Sequence, residues 1–282
     1  MEKQVNNSKY KLGLALSGGG ARGFAHLGVF DALHERGLKP DIISGTSAGS
    51  LAGAFYADGY TPKEVLGLFQ SVKFGELATT SFPREGFFKM DGLAAFLKKN
   101  LRAQTFEELK MPLRVMCSDI ETGEKVLFDS GELIPPILAS CAVPIVFEPV
   151  KIGDKHLVDG GLFINLPASV LRKDCEIGVN VSPLCPLEYN KSLKYIVERS
   201  LHYLMAENAY PDRKLCDYLI ESTEVGKYPL FELKKATQIY QKGYETANTC
   251  FEENKERLKR DFFAPPKQES IFTRFLKNVL SN

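Results

Sequence analysis

The stretch Asp41-Ile-Ile-Ser-Gly-Thr-Ser-Ala-Gly49 decides the fold. Ile42-Ile43 is a short apolar run of the kind that a sheet buries, and it leads straight into Gly45-Thr46-Ser47-Ala48-Gly49. Beyond it Ser50-Leu-Ala-Gly-Ala-Phe-Tyr-Ala57 predicts a helix that Asp58-Gly59 stops. A strand that meets a helix at G-x-S-x-G is a nucleophile elbow, in which Gly45 and Gly49 allow a turn so tight that Ser47 stands at the C-terminal edge of the sheet. The amides that open the helix are unpaired and carry the positive end of its dipole, so negative charge developing near Ser47 is stabilised. Serine and glycine also favour ordinary turns, so the motif needs partners elsewhere in the chain.

Upstream, Tyr10-Lys-Leu-Gly-Leu-Ala-Leu-Ser17 predicts the first strand. It opens into Gly18-Gly-Gly-Ala-Arg-Gly23, after which Phe24, Leu27, Phe30 and Leu33 recur at helical spacing as far as Gly37. Gly18, Gly20 and Gly23 satisfy G-x-G-x-x-G, so a nucleotide-binding module is a rival reading. In a dinucleotide-binding unit the second strand ends in an acid that holds the ribose. Here Asp41 stands at the beginning of that strand and the serine turn occupies its end, which weighs against a dinucleotide. Three glycines beside a sheet edge are equally a nest of N–H groups, and an oxyanion uses such a nest as readily as a phosphate does. Arg22 either adds a fixed positive charge beside the nest or is a solvated side chain of the first helical turn.

Downstream of the elbow, Thr61-Pro-Lys-Glu64 is a capping box for a short helix. Residues 79–90 then break all periodicity while displaying Phe82, Phe87, Phe88 and Met90, which either pack beneath the domain or rim an apolar entrance. Strands are predicted at 113–118 and 125–129, a helix at 134–141, and a hairpin turning on Gly153-Asp154 whose second strand runs into Asp159-Gly160-Gly161. Asp-Gly is ordinarily a turn. At the end of an apolar strand, with Gly160 and Gly161 permitting close backbone approach, Asp159 is placed to face a serine at another strand end. Further strands at 176–181 and 217–221, a long helix at 191–210 and a charged helix from 231 to about 260, with a weak point at Gly243, follow. Alternating strands and helices predict an α/β fold with a mainly parallel sheet covered on both faces.

Composition narrows the partners. The 282 residues carry 36 Lys and Arg against 35 Asp and Glu, so no global field selects nucleic acid or an anionic surface. Six cysteines are scattered singly with no metal-site spacing, which reads as reduced thiols and no bound metal. The polar first ten residues and the lack of a long apolar run predict a cytoplasmic protein that touches a membrane at most peripherally. Near the C-terminus Ile271, Phe272, Phe275, Leu276, Val279 and Leu280 share one helical face, which leaves packing on the body, a homodimer and an interfacial membrane contact open.

A serine nucleophile needs a base. In an α/β-hydrolase the order along the chain is Ser, Asp, His, but only His202 follows Asp159, and it falls in mid-helix. The alternative is a dyad in which Asp159 takes the proton of Ser47 directly while the glycine loop holds the oxyanion. GGGARGFAHLGVFDAL, GTSAG and DGG, in this order, resemble the patatin-like phospholipases, as do Ala139-Ser-Cys-Ala-Val-Pro144 and the continuation DGGLFINLP. The resemblance covers roughly residues 11–180. It implies a three-layer α/β/α sandwich that hydrolyses acyl esters of phospholipids and other lipids without a metal or organic cofactor. Ser47 would be the nucleophile, Asp159 the general base, and Gly18, Gly19, Gly20 and Arg22 the oxyanion hole. Residues 1–222 would form the catalytic domain and 223–282 a helical extension packed on it. Rival readings are an esterase, thioesterase or transacylase for smaller acyl donors, and a non-catalytic lipid-binding or nucleotide-binding protein.

Overall fold

In the computed structural model, which describes residues 10–70, 72, 74–80, 88–171 and 173–263, the sheet is assembled around two strands with almost no exposed face. β1 (Tyr10–Leu16) is buried from Leu12 onward and β2 (Ile42–Thr46) throughout. Such uninterrupted burial marks strands covered on both faces by helices. α1 (Phe24–Glu35) carries the chain from β1 to β2, which pair in parallel, and α2 (Ala48–Ala57), α3 (Pro62–Gln70) and α4 (Phe74–Leu77) follow the serine turn. The capping box ahead of α3 is formed: Thr61 N–H donates to Glu64 Oε2 at 2.7 Å and Glu64 N–H to Thr61 Oγ1 at 3.3 Å.

The stretch expected to lack regular structure contains a short antiparallel ladder between β3 (Thr79–Thr80) and β4 (Phe88–Lys89). Phe82 and Phe87 lie outside the described residues. Met90 is buried, and Phe88 packs against Phe147 with ring centroids 6.3 Å apart. α5 (Asp91–Asn100), β5 (Leu113–Asp119), β6 (Lys125–Phe128), α6 (Ile134–Cys141), β7 (Val150–Ile152) and β8 (Lys155–Asp159) come next. β7 and β8 form the expected hairpin about Gly153, which has φ +61°. β9 (Lys173–Asn180) returns to the far side of β1, α7 (Leu193–Arg213) crosses back, and β10 (Tyr218–Glu221) pairs with β9.

Strands β10, β9, β1, β2 and β5 lie side by side in parallel, while β6, β7 and β8 join antiparallel at the other end. The molecule is a three-layer α/β/α sandwich with a mainly parallel sheet. The chain builds outward from β1 to β2 and β5, then from β1 to β9 and β10, so the end of β1 is a topological switch point. Asp41 does not sit where a ribose would need it. Its Oδ2 accepts the N–H groups of Lys11 at 3.1 Å and Leu12 at 2.9 Å, which ties the start of β1 to that of β2.

Beyond the sheet, α8 (Thr223–Gly226) precedes a 3₁₀ turn at Leu233–Lys235 and α9 (Ala236–Glu253). Gly243, expected to weaken this helix, is where α9 meets α1: a side chain there would collide with the backbone of Ala25. One compact unit extends to Cys250 and a second begins at Phe251, with α10 (Lys255–Leu258) and a π turn at Lys259–Phe263. The apolar helix expected at 271–280 lies outside the described residues. No described helix is long and apolar enough to cross a membrane.

Candidate active site

The register of β5 brings the two predicted site residues together. One edge of β5 is taken by β6, from Val115 to Ser118. Along the other edge β2 runs parallel to Leu113–Met116, and β8 takes over antiparallel at Cys117–Asp119. Thr46 is therefore opposite Met116 and Asp159 opposite Cys117. Two strands pointing at each other along one edge have their C-terminal ends on adjacent residues, so Ser47 and Asp159 meet head to head. The sheet is mainly parallel as expected, and the strand that delivers Asp159, the second of the expected hairpin, pairs antiparallel with β5.

The elbow is strained and held. Ser47 has φ 52° and ψ −123°, one of two described non-glycine residues with positive φ. A Cβ on Gly45 would lie 2.6 Å from the backbone of Gly49, and one on Gly49 would collide with Leu16 O, so both positions need glycine for the turn to close. Ser47 N–H donates to Ser140 Oγ at 2.7 Å, and that hydroxyl donates to Met116 O at 2.7 Å, opposite the end of β2. Ser50 Oγ, from the first turn of α2, donates to Ser47 O at 2.6 Å. Ser140 belongs to a segment singled out in the sequence, but its bond to the elbow amide is a non-local contact that no spacing discloses.

Asp159 is fully buried and caps the 3₁₀ turn Gly160–Leu162, its Oδ1 accepting from Gly161 N–H at 2.8 Å. Burial pushes its pKa up to about 7, against the opposing pull of the nearby Ser47 hydroxyl and the Gly161 amide. Oδ2 makes no hydrogen bond of standard geometry. A buried acceptor left this way costs about 1–3 kcal/mol, a penalty usually found where a site does chemistry. The neighbouring Cys141 thiol is held in its neutral form, its pKa raised by burial and by the Asp159 charge.

The four histidines are engaged elsewhere. His26 Nε2 stands 2.9 Å from Ser17 O, His34 Nε2 2.7 Å from Tyr56 Oη, and His156 Nδ1 3.2 Å from Glu121 Oε1. His202 is buried in α7, 3.1 Å from Arg22 Nη1 and 3.0 Å from Arg199 Nη1. Burial and these two cations lower its pKa to about 4.

The glycine loop leaves β1 beside the serine. The point a Gly18 Cβ would occupy is 3.1 Å from Ser47 Cβ. Gly18 N–H donates to Asn165 O at 3.0 Å, Ala21 N–H to Leu230 O at 2.7 Å and Arg22 N–H to Gly19 O at 3.1 Å. The amides of Gly19 and Gly20 take no part in these backbone bonds, and Ala48 N–H opens α2. Arg22 is neither solvated nor turned to the serine. Its Nε donates to Tyr228 O at 2.7 Å and its guanidinium faces His202 and Ser182, so the side chain braces the loop from behind. Burial lowers its pKa to about 10, which leaves it charged at neutral pH.

From Ser47 an apolar cavity of about 930 Å³, counted out to solvent, runs between the helices. α2 presents Ala48, Leu51, Ala52 and Phe55 to it, one face at 3.6-residue period, and Phe24 and Leu27 of α1 are across the space. Small side chains lie near the serine, while Phe55 and Phe69, 6.0 Å apart between ring centroids, belong to the aromatic cluster farther along. Among the described residues no cluster of three or more His, Cys, Asp or Glu side chains is gathered as a metal site requires.

Comparison with known proteins gives a family model described as patatin-like phospholipase, which matches residues 14–172. The uncharacterized protein YqhO of Bacillus subtilis is 30% identical over 203 residues, covering 59% of this chain and 70% of that protein. An uncharacterized NTE family protein of Mycobacterium tuberculosis is 31% identical over 167 residues, 58% of this chain and only 29% of its own length. Among solved structures, that of VipD from Legionella pneumophila superposes with a TM-score of 0.50 at 14% identity, over 87% of this chain and 67% of that one, and shares the fold.

Proposed function

This chain belongs to the patatin-like phospholipase family, and from that premise we propose that it is a serine acyl hydrolase that cleaves acyl esters of phospholipids or related lipids through a Ser47–Asp159 dyad. The observation that carries the reading is the meeting of β2 and β8 on β5, which sets a strained serine beside a buried carboxylate while every histidine is bonded elsewhere. Asp159, with a pKa near 7, accepts the serine proton as Ser47 Oγ attacks the ester carbonyl, and passes it to the departing alcohol. The amides of Gly19, Gly20 and Ala48 are the donors available to the oxyanion. Water then cleaves the acyl-enzyme, again with Asp159 as base, and the fatty acid leaves.

The cavity supports a fatty acyl chain over a short one, because its lining is apolar from the serine to the aromatic cluster. An esterase for small acyl donors would make no use of that depth. Hydrolysis of a p-nitrophenyl fatty ester and of phospholipid vesicles by Ser47→Ala and Asp159→Asn tests the dyad. Each variant should lose at least about 10⁴-fold in kcat, and the double variant little more, since residues acting as a unit are not additive. Retention of more than a tenth of wild-type activity by Asp159→Asn would rule the dyad out.

A further inference from the structure

The glycine loop is held by a segment from far along the chain. Residues 228–233, which lead from α8 into the 3₁₀ turn at Leu233–Lys235, lie against it. Tyr228 O accepts from Arg22 Nε and Leu230 O from Ala21 N–H, both at 2.7 Å, and the fixed φ of Pro229 between them stiffens the pair. The approach is close, because a Cβ on Gly20, which has φ +55°, would collide with Leu230 O. The same segment has a second face. Leu230, Phe231 and Leu233 line the apolar cavity at Ser47, as do Gly20, Ala21 and Gly23 of the loop itself. Leu230 thus meets the cavity with its side chain and the loop with its carbonyl. The segment lies beyond residues 14–172, which the family model matches, so this part of the wall comes from the rest of the chain.

Under the acyl-hydrolase reading the cavity takes the acyl chain, and the amides of Gly19 and Gly20 are offered to the oxyanion. The oxyanion forms only as attack proceeds, so the aim of the loop is expressed in kcat, whereas a wall that merely holds the chain is expressed in KM. We propose that segment 228–233 couples the two: Phe231 is a specificity-determining residue against the acyl chain, and the carbonyls of Tyr228 and Leu230 hold the loop in the position which that contact sets. The proposal rests on the acyl-hydrolase reading above. A long chain adds dispersion contacts along Leu230, Phe231 and Leu233 and restrains the carbonyls of the same segment. An acetyl group, with one carbon beyond the carbonyl, cannot span that wall. A longer chain therefore speeds turnover as well as binding more tightly.

Steady-state hydrolysis of p-nitrophenyl acetate and p-nitrophenyl octanoate by wild type, Phe231→Ala and Phe231→Leu tests the coupling. In wild type kcat should be at least about tenfold higher for the octanoate. Phe231→Ala should bring the two kcat values within about threefold of each other. Phe231→Leu, which restores an apolar side chain, should recover part of the difference and serves alone if the alanine variant does not fold. A raised KM for the octanoate with the wild-type ratio of kcat values would make Phe231 a passive wall and overturn the proposal, as would no change in either. Hydrogen exchange reads the loop without turnover. The peptide that carries Gly19, Gly20 and Ala21 should exchange more slowly in wild type labelled at Ser47 by an octyl fluorophosphonate than by an ethyl one, and the difference should vanish in Phe231→Ala. Equal exchange in the two wild-type adducts overturns the coupling. A folded wild type that takes neither label instead overturns the acyl-hydrolase reading beneath it.

Discussion

A carboxyl sealed from water loses the hydration that favours its charged form, and Asp159 shows the consequence in a pKa raised to about 7. A base works only when ionised. Below that pKa the rate of Ser47 acylation should fall tenfold per pH unit, and above it the rate should level off. A profile of kcat/KM on a neutral ester should therefore show one rising limb with its inflection near 7, whereas a limb near 4 would mean a hydrated carboxylate. Ser47 and Asp159 were legible in the sequence because each sits in a short motif at a strand end. Ser140 was not, since its role is a contact with the elbow amide, across a long separation in the chain. Arg22 shows the same limit in reverse. Its place in the motif is plain, yet only the fold reveals that it reaches Tyr228 O and His202 rather than the serine.

At the scale of elements, α2 does two jobs that its sequence encodes separately. Its first amide, that of Ala48, opens the helix beside Ser47, where the proposed function would use it for the oxyanion, and its face of Ala48, Leu51, Ala52 and Phe55 lines the cavity. Ala52 is a small residue part of the way along that face. Ala52→Phe should shorten the acyl chain accepted, lowering the ratio of long-chain to butyryl p-nitrophenyl ester hydrolysis at least about tenfold while labelling of Ser47 by a small probe persists. An unchanged ratio would mean that the acyl chain lies elsewhere. The helices were legible from period and caps, as at Thr61–Glu64. The direction of β8 was not. Antiparallel pairing with β5 is set by the hairpin and the crossover that precede it, and an apolar run reads the same in either orientation.

The whole molecule places its chemistry where an open α/β sheet has a crevice to offer. The chain reverses direction of growth at β1, and the glycine loop leaves the sheet there. The mainly parallel core was legible because its strands are buried on both faces and alternate with amphipathic helices. The near balance of 36 basic and 35 acidic residues supplies no long-range steering, so under the proposed function recognition of a lipid would fall to the apolar cavity. The central claim is that Ser47 is activated by Asp159 alone. Its most direct measurement is labelling by a fluorophosphonate probe, with peptide mapping, of wild type, Ser47→Ala, Asp159→Asn and His202→Ala. The account predicts a label confined to Ser47, absent in Ser47→Ala, slowed at least about 100-fold in Asp159→Asn and retained in His202→Ala. Wild-type labelling rates in Asp159→Asn, or loss of label in a folded His202→Ala, would contradict it.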